Sequence, residues 1–141
     1  VNCIGITKYN NSYSSKALTN LVNTKLPIFL ASLSLKYKIF IIHISTDCVF
    51  LGKKGNYTDN AKKDSLDTYG ISKSKGEVKN KYTSTIRTSF IGPESKTAKS
   101  LLNWFLVQKI TVNGFNNAFF SGLTSLELSE IIYKYFEEPY L

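Results

Sequence analysis

With one histidine, one arginine and two cysteines, this chain lacks the parts for several common chemistries. Cys3 and Cys48 do not make a disulfide framework, and neither lies in a CxxC or a Cys/His cluster with metal spacing. Because His43 is the only histidine, a zinc centre and a histidine-based triad both want components. No apolar run reaches the ~18 residues of a membrane helix. The first residues show neither a charged leader nor a small-residue cleavage pattern. These absences predict a reducing, cytoplasmic setting without membrane association.

The formal charge of +8 raises the question of an anionic partner. The lysines are scattered through most of the chain, and arginine, the preferred residue for bidentate recognition of a base or phosphate, is represented by Arg87 alone. A solvated lysine-rich surface is the expectation, with no nucleic-acid partner.

In 141 residues, 43% of them hydrophobic, there is material for one real core. Val1 to Ile6 reads as the end of a buried strand that enters a loop at Thr7 to Ser14. Ser15 to Lys36 has helical spacing, with a kink or restart expected at Pro27. Ile39 to Ile44 is a short β-branched run, most naturally a buried parallel strand. Asp67 to Lys81 has helix-forming composition and Thr83 to Arg87 gives another strand. Beyond Gly92-Pro93 the sequence predicts a helix around Ser100 to Gln108, an extended piece at Ile110 to Val112, and an amphipathic helix from Leu126 to Phe136. Strand, helix, strand, helix, strand is α/β order, a partial Rossmann-like parallel sheet followed by a small C-terminal region.

Chemistry concentrates at Tyr69-Gly70-Ile71-Ser72-Lys73, where a phenol and an ammonium four residues apart share one helix face. A phenol with pKa ~10 is a poor acid-base group near neutrality, and a neighbouring cation brings it toward the working range. Tyr69 can then exchange a proton with a carbonyl oxygen. An exposed, inert helical pair is the alternative. The strand before it ends in Ser45-Thr46-Asp47-Cys48-Val49-Phe50, and hydroxyls at a parallel strand's end lie where α/β sheets bind ligands. The alternative there is an ordinary loop exit with Asp47 capping a turn. His43, inside the apolar run, is expected to be a satisfied core histidine.

The ordered set of Val1-Asn2-Cys3-Ile4-Gly5, Asn23 in the next helix, STDCVF at a strand end, YGISK, and Gly76-Glu77 resembles the extended short-chain dehydrogenase/reductases. Within them it is most similar to the dTDP-4-dehydrorhamnose reductase branch, over the chain from its first residues to about Gly92. Arg87-Thr88-Ser89-Phe90 looks similar to the same branch, and Leu123 to Leu128 more loosely so.

The resemblance implies that Tyr69 is the catalytic acid/base, that Lys73 binds nicotinamide ribose and lowers the tyrosine's pKa, and that Thr46 assists at the substrate oxygen. It implies that Asn23 supports a relay water, the alternative being an exposed helix residue. Cys3, Ile4 and Gly5 would lie along NADP(H) or NAD(H); Asp47 and Phe90 would face a nucleotide-sugar substrate, with core packing the favoured alternative for Phe90. Residues 1–92 would be the catalytic portion of a Rossmann-like domain and 93–141 part of a substrate-binding region. A homodimer is compatible with it. Cys48 stands where the branch commonly has an aromatic residue, and Phe90 where rhamnose-forming members tend to have tryptophan, so the sugar stays open. The glycine-rich turn that receives the pyrophosphate in such folds is not in this sequence, since Gly52, Gly55 and Gly70 are spaced wrongly. The expectation is a fragment or partial gene product that binds NADP(H) weakly or not at all when alone. An epimerase or dehydratase of the same family, and a non-catalytic scaffold, remain competing readings.

Overall fold

The computed structural model describes residues 1–8, 15–93 and 100–137, and the chain divides into two compact units, Val1–Thr88 and Ser89–Leu141. In the first unit, Ser15 caps a helical run by accepting a hydrogen bond from the Leu18 amide. The run comprises α1 (Lys16–Asn20), a π-helical turn (Leu21–Lys25) and α2 (Leu26–Tyr37). Pro27 stands where the α-helix restarts after the π turn, as the sequence had suggested. It is accommodated near the start of α2, where its missing N–H matters least, and the preceding turn widens so that the Leu26 amide bonds the Leu21 carbonyl. Lys38 ends α2 in the left-handed conformation, with φ of 55°, and returns its amide to the Ser34 carbonyl.

The chain then enters β1 (Ile41–Ser45), which pairs in parallel with β2 (Thr83–Arg87) in the register Ile41 to Thr83 through Ser45 to Arg87. On its other side β1 receives Asn2 in a parallel bridge to His43, through Asn2 N to Ile42 O and Ile44 N to Asn2 O. The expected strand at Val1 to Ile6 is thus reduced to one residue that joins the ladder. Between β1 and β2 lies α3 (Thr68–Gly76), capped by Asp67, whose carboxylate accepts the Gly70 amide at 3.0 Å. It ends at Gly76, five residues short of the expectation, because Glu77 is extended.

Among the described residues the buried hydrophobic side chains are Ile6, Pro27, Ala31, Ile42 and Val49 here and Leu128 in the second unit, against eleven polar or charged ones. The first unit's interior is therefore held by hydrogen bonds as much as by apolar packing, and each buried polar group needs a partner. Close backbone approach adds to this. A side chain's first carbon at Gly70 would meet Ser65 and the Cys48 carbonyl, and one at Gly76 would run into the Asn23 carbonyl oxygen. Gly76→Ala must separate α3 from the π turn and is expected to destabilise by about 1–3 kcal/mol; an unchanged denaturation midpoint would contradict this packing.

The second unit contains β3 (Phe90–Ile91), α4 (Leu101–Leu106), β4 (Leu123–Thr124) and α5 (Ser125–Glu137). β3 and β4 pair in parallel, so Gly92-Pro93 lies within this unit. The extended piece expected at Ile110 to Val112 joins no ladder, and the pairing partner of β3 is Leu123–Thr124. No helix among the described residues is long and apolar enough to cross a membrane.

Candidate active site

Thr46, Tyr69, Lys73, Asn23 and the segment Cys3 to Gly5 all fall in the first unit, and Phe90 falls in the second, on β3. Phe90 is 59% exposed, so core packing does not account for it.

Thr46 follows β1 directly and caps the 3₁₀ turn Asp47–Val49, its Oγ1 accepting the Cys48 amide at 3.2 Å. It, rather than Asp47, is the turn's cap. Its hydroxyl donates to Asp47 Oδ1 at 3.2 Å, and the residue is buried at 6% exposure. Tyr69, in the first turn of α3, lies close enough to Thr46 for the threonine hydroxyl to draw its pKa down.

Lys73, one helical turn on, is 4% exposed and donates from Nζ to the Ile44 carbonyl at 2.7 Å. Burial pulls its pKa below the usual lysine value, opposed by the charges of Glu77 and Cys3. Burial pushes the Tyr69 phenol up, the neighbouring Thr46 hydroxyl pulls it back, and the nearby Cys48 and Asp47 push it further. The resemblance would have Lys73 lower this pKa. In this arrangement the ammonium is engaged with the Ile44 carbonyl, and the cation that lowers the phenol's pKa is Lys8. Tyr69 is consequently a neutral phenol at physiological pH, holding the proton a carbonyl acceptor would need.

Asn23 lies in the π turn and is fully buried, which excludes the exposed-residue alternative. Its Oδ1 accepts the Ile6 amide at 2.8 Å, and its Nδ2 donates to the Ile6 carbonyl at 2.9 Å and to Ser72 Oγ at 3.0 Å. The carboxamide therefore clamps the N-terminal segment onto α3. Thr24 reinforces the clamp through the Ser72 carbonyl at 2.8 Å. A π-turn recurs at functional sites because it aims a side chain that regular pitch would misdirect. The clamped segment runs beside the lysine: a first side-chain carbon at Gly5 would lie 3.6 Å from Asn23 Oδ1 and 3.8 Å from Lys73 Nζ. Cys3, Ile4 and Gly5 are exposed there, next to a buried cation.

Two features escaped the sequence reading. Ser72 ties Asn23 to α3 and also donates to the Tyr69 carbonyl at 2.8 Å. Glu77 gathers Ser45, Lys63 and Arg87, and its spacing of four from Lys73 and eight from Tyr69 was a usable sign that it shares their side of α3. Arg87, the chain's only arginine, is thereby bound to a carboxylate within the protein. His43 is a core histidine, 2% exposed, but only half satisfied. Asn2 Oδ1 accepts the Ile4 amide, which turns Asn2 Nδ2 toward His43 Nδ1 at 3.0 Å and places the ring proton on Nε2. Nε2 is buried with no partner among the described residues.

Two solved structures share this arrangement of elements. One is a dTDP-4-dehydrorhamnose reductase from Clostridium acetobutylicum, with a TM-score of 0.80 and 22% identity, covering 97% of this chain and 51% of that one. The other is a hypothetical dTDP-4-dehydrorhamnose reductase from Sulfolobus tokodaii, with a TM-score of 0.82 and 25% identity, covering 96% of this chain and 50% of that one. The chain thus spans about half the length of each, and its mixed α/β fold with parallel pairing matches their Rossmann-like architecture. No curated protein matches it. The family model described as the RmlD substrate binding domain matches residues 1–105, so the Thr46, Tyr69 and Lys73 constellation lies within it, and the chain belongs to that family of extended short-chain dehydrogenase/reductases.

Proposed function

We propose that this chain carries the proton-transfer and substrate-facing part of an NAD(P)H-dependent reductase of a nucleotide-linked 4-keto-6-deoxy sugar, of the dTDP-4-dehydrorhamnose type. Such a reaction serves deoxysugar supply for surface polysaccharide, in the cytoplasm. The observation that supports it most is the placing of buried Thr46 beside Tyr69 at the end of β1, with buried Lys73 one turn away on α3. In this reading residues 1–92 belong to the cofactor-binding domain and 93–141 to the substrate-binding region.

Tyr69 gives its phenolic proton to the keto oxygen as negative charge develops there. Thr46 exchanges its hydrogen bond to Asp47 for one to the same oxygen and holds it against the phenol. Asp47 and Phe90 face the sugar nucleotide. Lys73, buried beside side-chain-free Gly5, fits a ribose hydroxyl of the cofactor, and exposed Cys3, Ile4 and Gly5 fit its flank. When bound, the nicotinamide supplies the hydride. The sequence holds no glycine-rich turn for the pyrophosphate, so the isolated chain is expected to bind NADP(H) weakly.

The test joins the chain to the complementary half of the Clostridium acetobutylicum structure and supplies NADPH with dTDP-4-dehydrorhamnose. One cofactor oxidised per sugar reduced is the expected result. Product formed without net cofactor oxidation would replace reduction by epimerisation or dehydration. No turnover beyond a matched Thr46→Val, Tyr69→Phe control would favour a non-catalytic member.

A further inference from the structure

Three successive residues at the end of β1 are each met by one side chain from a single side of α3 and its exit. Lys73 Nζ donates to the Ile44 carbonyl at 2.7 Å, Glu77 Oε1 accepts the Ser45 hydroxyl at 2.7 Å, and Tyr69 lies near enough to Thr46 for the hydroxyl to draw its pKa down. These α3-side residues recur every four positions, as one helix face requires. Glu77 has no place in the proton transfer above, yet its side chain is only 6% exposed and is the most heavily bonded carboxylate described. Arg87 Nε reaches it at 2.9 and 3.2 Å and Nη2 at 2.8 Å, while Lys63 Nζ reaches it at 3.1 Å. Arg87 also donates to the Asp59 carbonyl at 2.8 Å and lies over the Phe50 ring, which stacks on Tyr57.

We infer that Glu77 is a positioning residue for the acid/base pair: its carboxylate fixes the end of β1 against α3 through Ser45 and so sets Thr46 and Lys73 in register with Tyr69. The role is distinct from structural ion pairing because the β1 group that Glu77 holds, Ser45 Oγ, belongs to the immediate neighbour of Thr46. A carboxylate accepting several charge-assisted bonds is a rigid anchor. Arg87 and Lys63 hold it from the loop side, and the same Arg87 carries the loop after β1 through Phe50 and Asp59. Glu77 also contributes the largest favourable charge acting on the Lys73 ammonium. The assignment of a catalytic role to Tyr69 and Lys73 is the reductase reading, on which this inference rests.

The experiment needs no catalysis and uses the whole 141-residue chain. Two variants, Glu77→Gln and Ser45→Ala, are compared with wild type by NMR, following the ¹⁵N-labelled Lys73 amine through its titration and amide exchange at Cys48, whose N–H is held by Thr46 Oγ1. Glu77→Gln is expected to move the Lys73 titration to lower pH, because the anion that raises it is gone. Ser45→Ala, which leaves the Arg87 and Lys63 contacts in place, is expected to speed Cys48 exchange about tenfold, the effect of losing one hydrogen bond to a charged group. Wild-type Lys73 titration in folded Glu77→Gln, or wild-type Cys48 exchange in Ser45→Ala, overturns the inference. Should Glu77→Gln fail to fold, the Cys48 exchange rate in Ser45→Ala decides alone. Absence of turnover in the wild-type assembled enzyme would instead count against the reductase reading and leaves these two readouts intact.

Discussion

In the assembled reductase, Tyr69→Phe is expected to lower turnover by about 10²–10⁴-fold, the usual contribution of a positioned general acid. The substitution removes one oxygen and leaves the ring, so α3 and its cap at Asp67 should be undisturbed. Nucleotide-sugar binding is expected to change little, and a loss confined to turnover marks a group that acts mainly in the transition state. Thr46→Val should give a smaller loss of the same kind, and the double variant should lose less than the product of the two, because one oxygen is shared by both groups. Burial raises the Tyr69 pKa, so the phenol is protonated across the neutral range and reduction should not fall as pH drops toward 6. It should fall on the alkaline side, as the phenol's proton is lost. Steady-state kinetics of the two single variants and the double variant check all of this, and wild-type turnover in Tyr69→Phe would contradict it.

A second large effect concerns stability. His43 is buried beside Lys73, and burial first, then that lysine's charge, lower its pKa from 6.5 to about 4, with Glu77 and Asn2 opposing. The folded chain therefore keeps a neutral imidazole where the unfolded chain binds a proton. The unfolded state takes up more protons between the two values, so stability is complete above pH 6.5 and declines as pH falls to about 4, by roughly 3 kcal/mol in all. No other histidine is present to blur that window. Glu77, held below its ordinary pKa by Arg87, Ser45 and Lys63 despite burial, adds a further loss at still lower pH. Urea denaturation at half-unit steps from pH 7 to pH 4 is the check. His43→Leu should flatten the curve between pH 6.5 and 4.5, and a slope unchanged by the substitution would contradict the account.

How far the sequence disclosed this fold depended on whether each feature was local. β2 was readable to the residue because Thr83, Thr85 and Ile86 prefer extended backbone and Arg87 closes the run. The start of α3 was legible to within one residue from the helix-forming composition after Asp67, and the structure adds that Asp67 is its cap. Pro27 announced a disturbance in the long helix, but where the turn widened depended on Asn23 and Thr24 docking against Ser72, contacts 48 and 49 residues distant in sequence. The pairing of Phe90–Ile91 with Leu123–Thr124 was similarly invisible, since two-residue parallel strands carry no periodicity. Within the candidate site, Thr46, Tyr69 and Lys73 were visible through residue type and spacing. The Asn23 clamp and the Glu77 anchor were not, because an asparagine in a polar helix and a glutamate after a glycine look solvated until the partners are placed. His43 was correctly read as core; its unpartnered Nε2 arises only when Asn2 arrives from the other side of β1.

Transfer of deuterium from 4-deuterated NADPH tests the central claim most directly, with dTDP-4-dehydrorhamnose as acceptor and the assembled enzyme as catalyst. Mass spectrometry should find one deuterium on the reduced carbon of the sugar in wild type, and label appearing about 10²–10⁴-fold more slowly in Tyr69→Phe. Sugar converted without deuterium, or label transfer indifferent to Tyr69, would contradict the account.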